Sequence, residues 1–242
     1  MIRQQERTYR RRVFRADLFA YEIRVKETDL LIQSDKELEK AAHEAVYRVR
    51  EQMESYIDRN PFFLHTLSPV EEDPYAPRIV RDMILAGKRA NVGPMAAVAG
   101  AVAEHVGREL LTECKEVIVE NGGDIFAKAE QPLRVGLFAG KSPLSNKLTI
   151  NFEAHEMPLG ICSSSGTVGH SYSEGVADLA CVVCRSAALA DALATALGNR
   201  VRSKKEVNHA LEWVQNIHEV LGAVVIVDEA IGVWGDISFR TL

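Results

Sequence analysis

The sequence predicts an α+β protein in which mixed or mostly antiparallel sheets are layered with helices. Three observations favour this class. Strand-like segments lie near the start, in the middle and at the end of the chain, and helical segments are clustered between them. The middle strands follow one another as a meander, without the crossover helix that parallel pairing requires. With 242 residues the chain is long enough to bury a core without disulfides or metal, and we expect one domain over residues 1–242.

The composition argues against several classes of partner and site. A net charge of -5 argues against a general nucleic-acid-binding protein, although residues 3–15 are locally basic. No run of about 18 apolar residues is present, so we expect no membrane-spanning helix. Four cysteines without regular spacing fit reduced thiols in a cytoplasmic protein. Cys181 and Cys184 are expected on opposite faces of one strand, which argues against a zinc site.

Two strands and a long helix are predicted at the start of the chain. Residues 8–14 and 18–33 are interpreted as paired strands because apolar and polar residues alternate in the second segment. Ser34 and Glu37 have the spacing of a capping box, which predicts a helix over 35–57 with its apolar residues on one stripe.

A proline-rich segment and two helices follow. Residues 60–77 contain four prolines and several aromatic residues, and we expect this loop to pack down as a lid over the site. Helices are predicted over 78–89 and 94–111. The second is rich in alanine and glycine, which predicts close packing, an anion site at its N-terminus beside Gly93, or both.

A buried strand over 116–120 ends in the turn Asn121-Gly122-Gly123-Asp124. The two glycines allow positive φ angles and close approach of a ligand, although ordinary strand-end turns have the same composition. Both interpretations stay open, with Asn121, Gly122 and Gly123 as candidate ligand-binding residues and Asp124 as a candidate catalytic residue. The remaining predicted elements are strands over 133–139, 147–154, 177–184, 221–227 and 232–239 and a helix over 203–217.

A turn rich in serine and glycine precedes His170. Hydroxyl and backbone N–H groups in such a turn could bind phosphate oxygens, but a polar surface turn would have the same composition. The candidate ligand-binding residues are Ser163, Ser164, Ser165, Gly166 and Thr167.

Asp191 and Thr195 lie four residues apart on a helix that is predicted to begin after Ser186. Their neighbours on that face are small, so a ligand or a second backbone could approach closely. A carboxylate beside a hydroxyl suits Mg²⁺, which prefers oxygen ligands and shares them with phosphate. The competing interpretation is a surface helix with a polar face.

These motifs carry a resemblance to a known family. The segments that carry it occur in the family's order and are Asn121-Gly122-Gly123-Asp124-Ile125, Ser165-Gly166 and Ala190-Asp191-Ala192-Leu193-Ala194-Thr195-Ala196-Leu197. They resemble the C-terminal motifs of the FAD:protein flavin mononucleotide transferases, a group also described as thiamine biosynthesis ApbE-like proteins. Over its full length the chain is similar to an uncharacterised branch related to these enzymes.

The resemblance implies an ApbE-like α+β fold with a nucleotide site. It also implies Mg²⁺ held by Asp191 and Thr195, with FAD or FMN as substrate or ligand, and it gives His170 the place of the family's histidine as a candidate catalytic residue. ApbE enzymes cleave the pyrophosphate of FAD and move the flavin mononucleotide group to a Thr or Ser of a target protein, and some of them hydrolyse FAD.

Three hypotheses about function remain. Residues 93–100 carry glycine and alanine where the transferases have Asp and Lys. The first hypothesis is a Mg²⁺-dependent transferase or pyrophosphatase acting on FAD or another nucleotide-like pyrophosphate, and the second is a non-catalytic binding protein for a flavin or another anionic small molecule. The third is an interaction or scaffold protein whose motifs are inherited packing. The sequence leaves open whether the protein forms a homodimer.

Overall fold

The computed structural model describes Val13 and residues 15–166 and 175–241. Its strands are β1 Phe19–Val25, β2 Thr28–Ser34, β3 Val117–Asn121, β4 Asp124–Lys128, β5 Leu133–Gly136, β6 Leu148–Phe152, β7 Leu159–Ser164, β8 Leu179–Cys184, β9 Val220–Val227, β10 Ala230–Gly235 and β11 Ser238–Thr241. Its α-helices are α1 Glu39–Arg59, α2 Phe62–His65, α3 Arg78–Ala90, α4 Val98–Leu110, α5 Ala187–Asn199 and α6 Val207–Gln215.

The strands form two antiparallel sheets that are stacked under a layer of helices. The large sheet has eight strands in the order β1-β2-β3-β4-β7-β8-β9-β10, and the small sheet has three in the order β11-β6-β5. One hydrophobic core lies between the large sheet and the helices, and a second lies between the two sheets. This layered architecture confirms the predicted α+β class.

Strand β8 shows how the two cores are built. All six of its residues are buried, because the strand is covered on both faces. Cys184 belongs to the core under the helices, whereas Cys181 belongs to the core between the sheets. The expectation that these two cysteines point to opposite faces is confirmed.

The start of the chain differs from the prediction. Residues 18–33 form a hairpin of two strands, β1 and β2, and the strand predicted over 8–14 lies almost entirely outside the described residues. Val25 pairs with Thr28 across a tight turn in which Lys26 has φ 52. The turn contains no glycine or proline, and apolar and polar residues alternate on both sides of it. The sequence therefore indicates one strand where the structure has two.

The capping box predicted at the start of α1 is wrong. The helix begins at Glu39, and Leu38 at its N-cap makes no side-chain capping bond. Ser34 is the last residue of β2, where its hydroxyl donates to the Lys36 carbonyl oxygen and lies 2.8 Å from the Tyr21 hydroxyl. Tyr21 belongs to the neighbouring strand β1, and the local spacing of Ser34 and Glu37 could not indicate that contact.

The proline-rich segment 60–77 contains the short helix α2. Phe63 is buried there, and its ring lies 5.2 Å from that of Tyr56. Phe62 and Tyr75 remain 71% and 95% exposed. The segment therefore packs through one aromatic anchor, and its role as a lid stays a prediction.

The helix predicted over 94–111 is divided into a 3-10 turn, Pro94–Ala97, and α4. At the other end of the chain, the single strand predicted over 232–239 is two strands in different sheets, β10 and β11. Gly235 adopts φ 93 between them, which lets the backbone change direction.

Two strands were missed, β4 and β7. β4 pairs with β3 across the Gly122-Gly123 turn, and β7 lies between β4 and β8. Ser163 and Ser164 are therefore strand residues, and their placement in a serine-rich turn is corrected.

None of the helices in the described ranges has the length and apolar character needed to cross a bilayer.

Candidate functional site

Helix α5 begins where the sequence predicts. Ser186 is its N-cap, and its hydroxyl accepts a hydrogen bond from the Leu189 N–H at 3.4 Å. The helix packs against α3, α4, β7 and β8, and even Asp191 is only 9% exposed. The alternative of a surface helix with a polar face is therefore wrong.

Two glycines let neighbouring backbones touch the first turn of α5. A Cβ atom on Gly100 of α4 would lie 2.2 Å from the Ala187 carbonyl oxygen. One on Gly160 of β7 would lie 2.3 Å from the Ala187 Cα. The small residues noted in the sequence thus serve close packing of α5 between α4 and β7.

The Asp191 carboxylate lies at the N-terminus of α4. Its Oδ2 atom accepts the Gly100 N–H at 2.9 Å. Burial and the nearby charge of Asp124 raise the pKa of Asp191 well above its ordinary value, and hydrogen bonds from the Gly100 and Ala99 N–H groups act in the opposite direction. Close packing and an acceptor for the helix N-terminus occur together here, and the acceptor is a carboxyl side chain of the protein itself.

Asp124 forms the second buried carboxyl group. It follows the turn in which Gly122 and Gly123 have φ 67 and 110, and its Oδ1 atom accepts the Ser163 N–H at 3.1 Å. Burial and, to a smaller extent, the Glu120 charge raise the pKa of Asp124 to about 7, against the hydrogen bonds from Ser163 and Cys162, which lower it. Both carboxyl groups are thus buried, and the charge of Asp124 raises the pKa of Asp191.

The β3–β4 turn is tied to the start of α4. The Asn121 side chain donates to the Ala99 carbonyl oxygen at 3.1 Å, and the Gly123 N–H donates to the Glu120 carboxylate at 2.7 Å. A Cβ atom on Gly122 or Gly123 would meet nothing within 4 Å, so these glycines are required by their φ angles while the outer side of the turn stays open.

The predicted serines divide between the two faces of β7. Ser164 alternates with Cys162 on the helix side of the sheet, and its buried hydroxyl has no hydrogen-bond partner within the described residues. Ser163 contributes its backbone N–H to Asp124. Ser165 and Gly166 follow the strand, and the Gly166 N–H donates to the Ala177 carbonyl oxygen at 2.9 Å.

His170 and Thr167 lie outside the described residues. Gly166 and Gly175, the described residues on either side of 167–174, lie against each other, since a Cβ atom on Gly166 would lie 2.0 Å from the Gly175 carbonyl oxygen. Gly175 in turn touches the end of α5, because a Cβ atom there would lie 1.9 Å from the Gly198 carbonyl oxygen.

Close packing explains why residue 93 is a glycine. A Cβ atom there would lie 1.9 Å from the Thr66 carbonyl oxygen, so the glycine lets the 60–77 segment approach the 3-10 turn before α4. Its proposed contact with a cofactor stays a prediction.

Glu104 is a residue of this site that was not predicted from the sequence. This residue is 8% exposed, and its Oε2 atom accepts hydrogen bonds from the Ser186 hydroxyl at 2.8 Å and the Ala187 N–H at 2.7 Å. The available signal was an acidic residue inside a helix otherwise rich in alanine, valine and glycine.

The oxygen donors at this site fit Mg²⁺. Within the described part of the chain, no three His, Cys, Asp or Glu side chains are grouped as a metal site. Mg²⁺ is commonly bound through one or two carboxylates together with substrate phosphates and water, so a complete protein cage is not required. A cation beside Asp191 would also offset the repulsion between the two buried carboxylates, and Thr195 lies one turn further along α5, half-buried.

Comparisons with known proteins identify the chain's relatives. The family described as AbpE bacteria matches residues 11–232. A UPF0280 protein of Methanocaldococcus jannaschii is 41% identical over 225 residues, covering 90% of this chain and 91% of its own length. A UPF0280 protein of Methanosarcina barkeri is 42% identical over 216 residues, covering 88% and 85%.

Solved structures with this fold are much more distant in sequence. The apo flavinyl transferase ApbE of Pseudomonas stutzeri has a TM-score of 0.59 at 15% identity, covering 90% of this chain and 93% of its own. The ApbE protein of Thermotoga maritima has a TM-score of 0.60 at 12% identity, covering 89% and 96%. The fold is therefore that of the ApbE proteins, and the chain belongs to the AbpE bacteria family as an ApbE-like protein related to the UPF0280 proteins.

Proposed function

We propose that the chain is a Mg²⁺-dependent enzyme that acts on FAD or another nucleotide-like pyrophosphate, by transfer or by hydrolysis. The observation that carries this proposal is the enclosed pair of carboxyl groups, Asp124 and Asp191, at the N-terminus of α4. The fold shared with the flavinyl transferase of Pseudomonas stutzeri makes a flavin nucleotide the first substrate to test.

Asp191 and Thr195 are the proposed metal ligands. The Gly100 N–H holds the Asp191 carboxylate in one orientation, and Thr195 presents its hydroxyl on the same face of α5 one turn later. Bound Mg²⁺ would polarise the pyrophosphate and neutralise the charge that develops on the leaving phosphate.

Asp124 and His170 are the proposed catalytic residues. A carboxyl group with a pKa of about 7 can both hold and release a proton near neutral pH, as general acid–base catalysis requires. The open outer side of the Gly122-Gly123 turn leaves space for a ligand next to Asp124.

The Ser164 hydroxyl is proposed to bind the ligand. It is buried on the helix side of the sheet without a partner in the described residues, and a buried hydroxyl in this state loses free energy unless a ligand or water completes its hydrogen bonds. A phosphate oxygen would accept a hydrogen bond from this hydroxyl.

Incubation with FAD and Mg²⁺ tests the enzyme hypothesis. We expect release of FMN and AMP, or transfer of FMN to a protein Thr or Ser, and loss of this activity when the metal is chelated. Asp191→Asn and Thr195→Val should lower the rate at least about 100-fold, on the scale of a lost electrostatic contact to the transition state.

Asp236→Asn is the matched control, because Asp236 is exposed and distant in sequence from the site. Product should be separated by chromatography and quantified by flavin fluorescence. An unchanged rate in Asp191→Asn would remove the metal role from this residue.

A non-catalytic flavin-binding protein is the second candidate. It is favoured by residues 93–100, which have glycine and alanine where the transferases have Asp and Lys. Gly100 offers only a backbone N–H at the start of α4, and Ala187 and Asp191 leave no space for a larger side chain there. This candidate predicts that FAD or FMN raises the melting temperature by mass action while no product forms. Turnover of FAD would exclude it.

A further inference from the structure

Helices α4 and α5 cap each other. The Gly100 N–H of α4 donates to Asp191 of α5 at 2.9 Å. In return, Glu104 of α4 accepts the N–H groups of Ala187 and Ala188 of α5 at 2.7 and 3.3 Å. Each helix therefore supplies N–H groups from its first turn and a carboxylate from the next turn, which satisfies donors that a helix start otherwise leaves unpaired.

The Glu104 carboxylate is held from both sides. One oxygen, Oε2, also accepts the Ser186 hydroxyl at 2.8 Å. The other, Oε1, accepts the Arg108 Nε–H at 2.9 Å. Both oxygens are thus engaged, so the side chain has one defined orientation at the start of α5.

The two helices are in close backbone contact at Gly100. A Cβ atom on Gly100 would lie 2.2 Å from the Ala187 carbonyl oxygen and 2.8 Å from the Asp191 Cβ. Because the backbones touch here, a shift of the first turn of α5 moves the Asp191 carboxylate relative to the Gly100 N–H.

We infer that Glu104 is a positioning residue for Asp191. Its carboxylate holds the first turn of α5 against α4 and thereby sets the place of the Asp191 carboxylate, the proposed metal ligand. Glu104 thus acts on Asp191 through the packing of the two helices and not by direct contact. This inference rests on the proposed function for its metal readout, and a second readout is independent of metal.

The first readout is the affinity for Mg²⁺ alone, measured by calorimetric titration. Glu104→Leu removes the acceptor and should weaken Mg²⁺ binding by about 10- to 100-fold, as loss of outer-shell support does in metal sites. Glu104→Gln keeps an oxygen acceptor for the Ala187 N–H and should restore affinity to within about threefold of wild type.

Two controls separate positioning from general stability. Glu109→Leu changes a partly exposed carboxylate on the same helix, which pairs with Arg48, and should leave Mg²⁺ affinity unchanged. Ile150→Ala creates a cavity between the two sheets, away from α4 and α5, and should lower the melting temperature without weakening Mg²⁺ binding. Equal weakening in Ile150→Ala and Glu104→Leu would overturn the inference.

The second readout is amide hydrogen exchange in the absence of metal. In Glu104→Leu the Ala187 and Ala188 amides should exchange faster, and so should the Gly100 amide, which Glu104 does not contact. If the leucine variant does not fold, Glu104→Gln replaces it in this readout, and the same three amides should exchange faster by a smaller factor, because a neutral amide is a weaker acceptor than a carboxylate.

The outcomes distinguish the inference from the proposed function. A wild-type protein that binds no Mg²⁺ would overturn the metal assignment, whereas faster exchange at Gly100 would still support the coupling through Glu104. Faster exchange confined to Ala187 and Ala188, with Gly100 unchanged, would overturn the inference.

Discussion

Asp124 and Asp191 are unusual because two carboxyl groups share one buried environment. Burial disfavours the charged form of each group, the Asp124 charge also disfavours the charged form of Asp191, and the Glu120 charge that of Asp124. Such an arrangement is costly for folding in the absence of a cation or a proton. The cost is understandable if the pair serves a ligand, since strongly shifted carboxyl groups are concentrated at functional sites.

Asp124→Asn should remove a pH-dependent loss of stability. The pKa of Asp124 is raised to about 7 from 3.8, so its contribution to stability is fully present below about pH 4 and is lost as pH rises through 7. The variant should therefore exceed wild type in free energy of unfolding at pH 8 by on the order of 2–4 kcal/mol, with little gain at pH 4.

Urea denaturation without divalent metal at pH 4, 6 and 8 measures this difference. Asp236→Asn, at an exposed position, should follow the wild-type pH dependence. Parallel curves for wild type and Asp124→Asn would show that Asp124 is ionised in the folded protein throughout this range.

The interface between α4, α5 and β7 shows why small residues are grouped in these elements. Gly100 and Gly160 both lie against Ala187, so α5 starts in a slot that any Cβ atom would narrow. This closeness brings the Asp191 carboxylate to the first turn of α4.

Gly100→Ala should destabilise the protein by about 2–3 kcal/mol, in the range of overpacking a closed interface. The added methyl group would meet backbone and the Asp191 Cβ, neither of which can move independently. Gly122→Ala is the comparison, because its Cβ has open space and the φ of 67 alone opposes it, at a cost of about 1 kcal/mol.

Chemical denaturation of the two variants provides the measurement. Mg²⁺ titration of Gly100→Ala adds a second reading, because displacement of α4 from α5 should also weaken binding at Asp191. Equal stability losses in the two variants would contradict the packing argument.

The 60–77 segment offers a matched aromatic pair. Phe63 is buried against Tyr56, whereas its neighbour Phe62 is 71% exposed. Phe63→Ala should cost about 3–5 kcal/mol, and Phe62→Ala should stay within about 0.5 kcal/mol of wild type. Thermal and urea denaturation distinguish them, and a large loss in Phe62→Ala would mean that this ring is covered in solution.

The whole molecule is organised around a sheet that is covered on both faces. Each face of the large sheet contributes to a separate core, so central strands such as β8 have no polar side. The four cysteines are all free and buried within this arrangement. Burial raises the pKa of Cys114 and of Cys181 to about 11.

The native protein should therefore resist thiol reagents at pH 8. Reaction requires both access and thiolate, and burial removes both. We expect no modification of the folded chain within minutes and four modified thiols after unfolding in guanidinium, counted by mass spectrometry. Thr112→Cys, at an exposed position, is the positive control and should react at once.

Local patterns were sufficient for the elements whose signals lie within a few residues. The Ser186 cap predicted the start of α5, and the spacing of Asp191 and Thr195 predicted that they share one face of it, because a helix brings residues four apart together wherever it packs. The two glycines of the β3–β4 turn likewise indicated the sharp reversal that their φ angles require.

Contacts between distant segments required the folded chain. β4 and β7 are short and covered on both sides, so their residues lack the alternation that marks a strand. The pairing of β4 with β7 brings the Ser163 N–H to Asp124, and the crossing of α4 with α5 brings Glu104 to Ala187. These residues are 39 and 83 positions apart, and no local propensity specifies which carboxylate will meet which N–H across such distances.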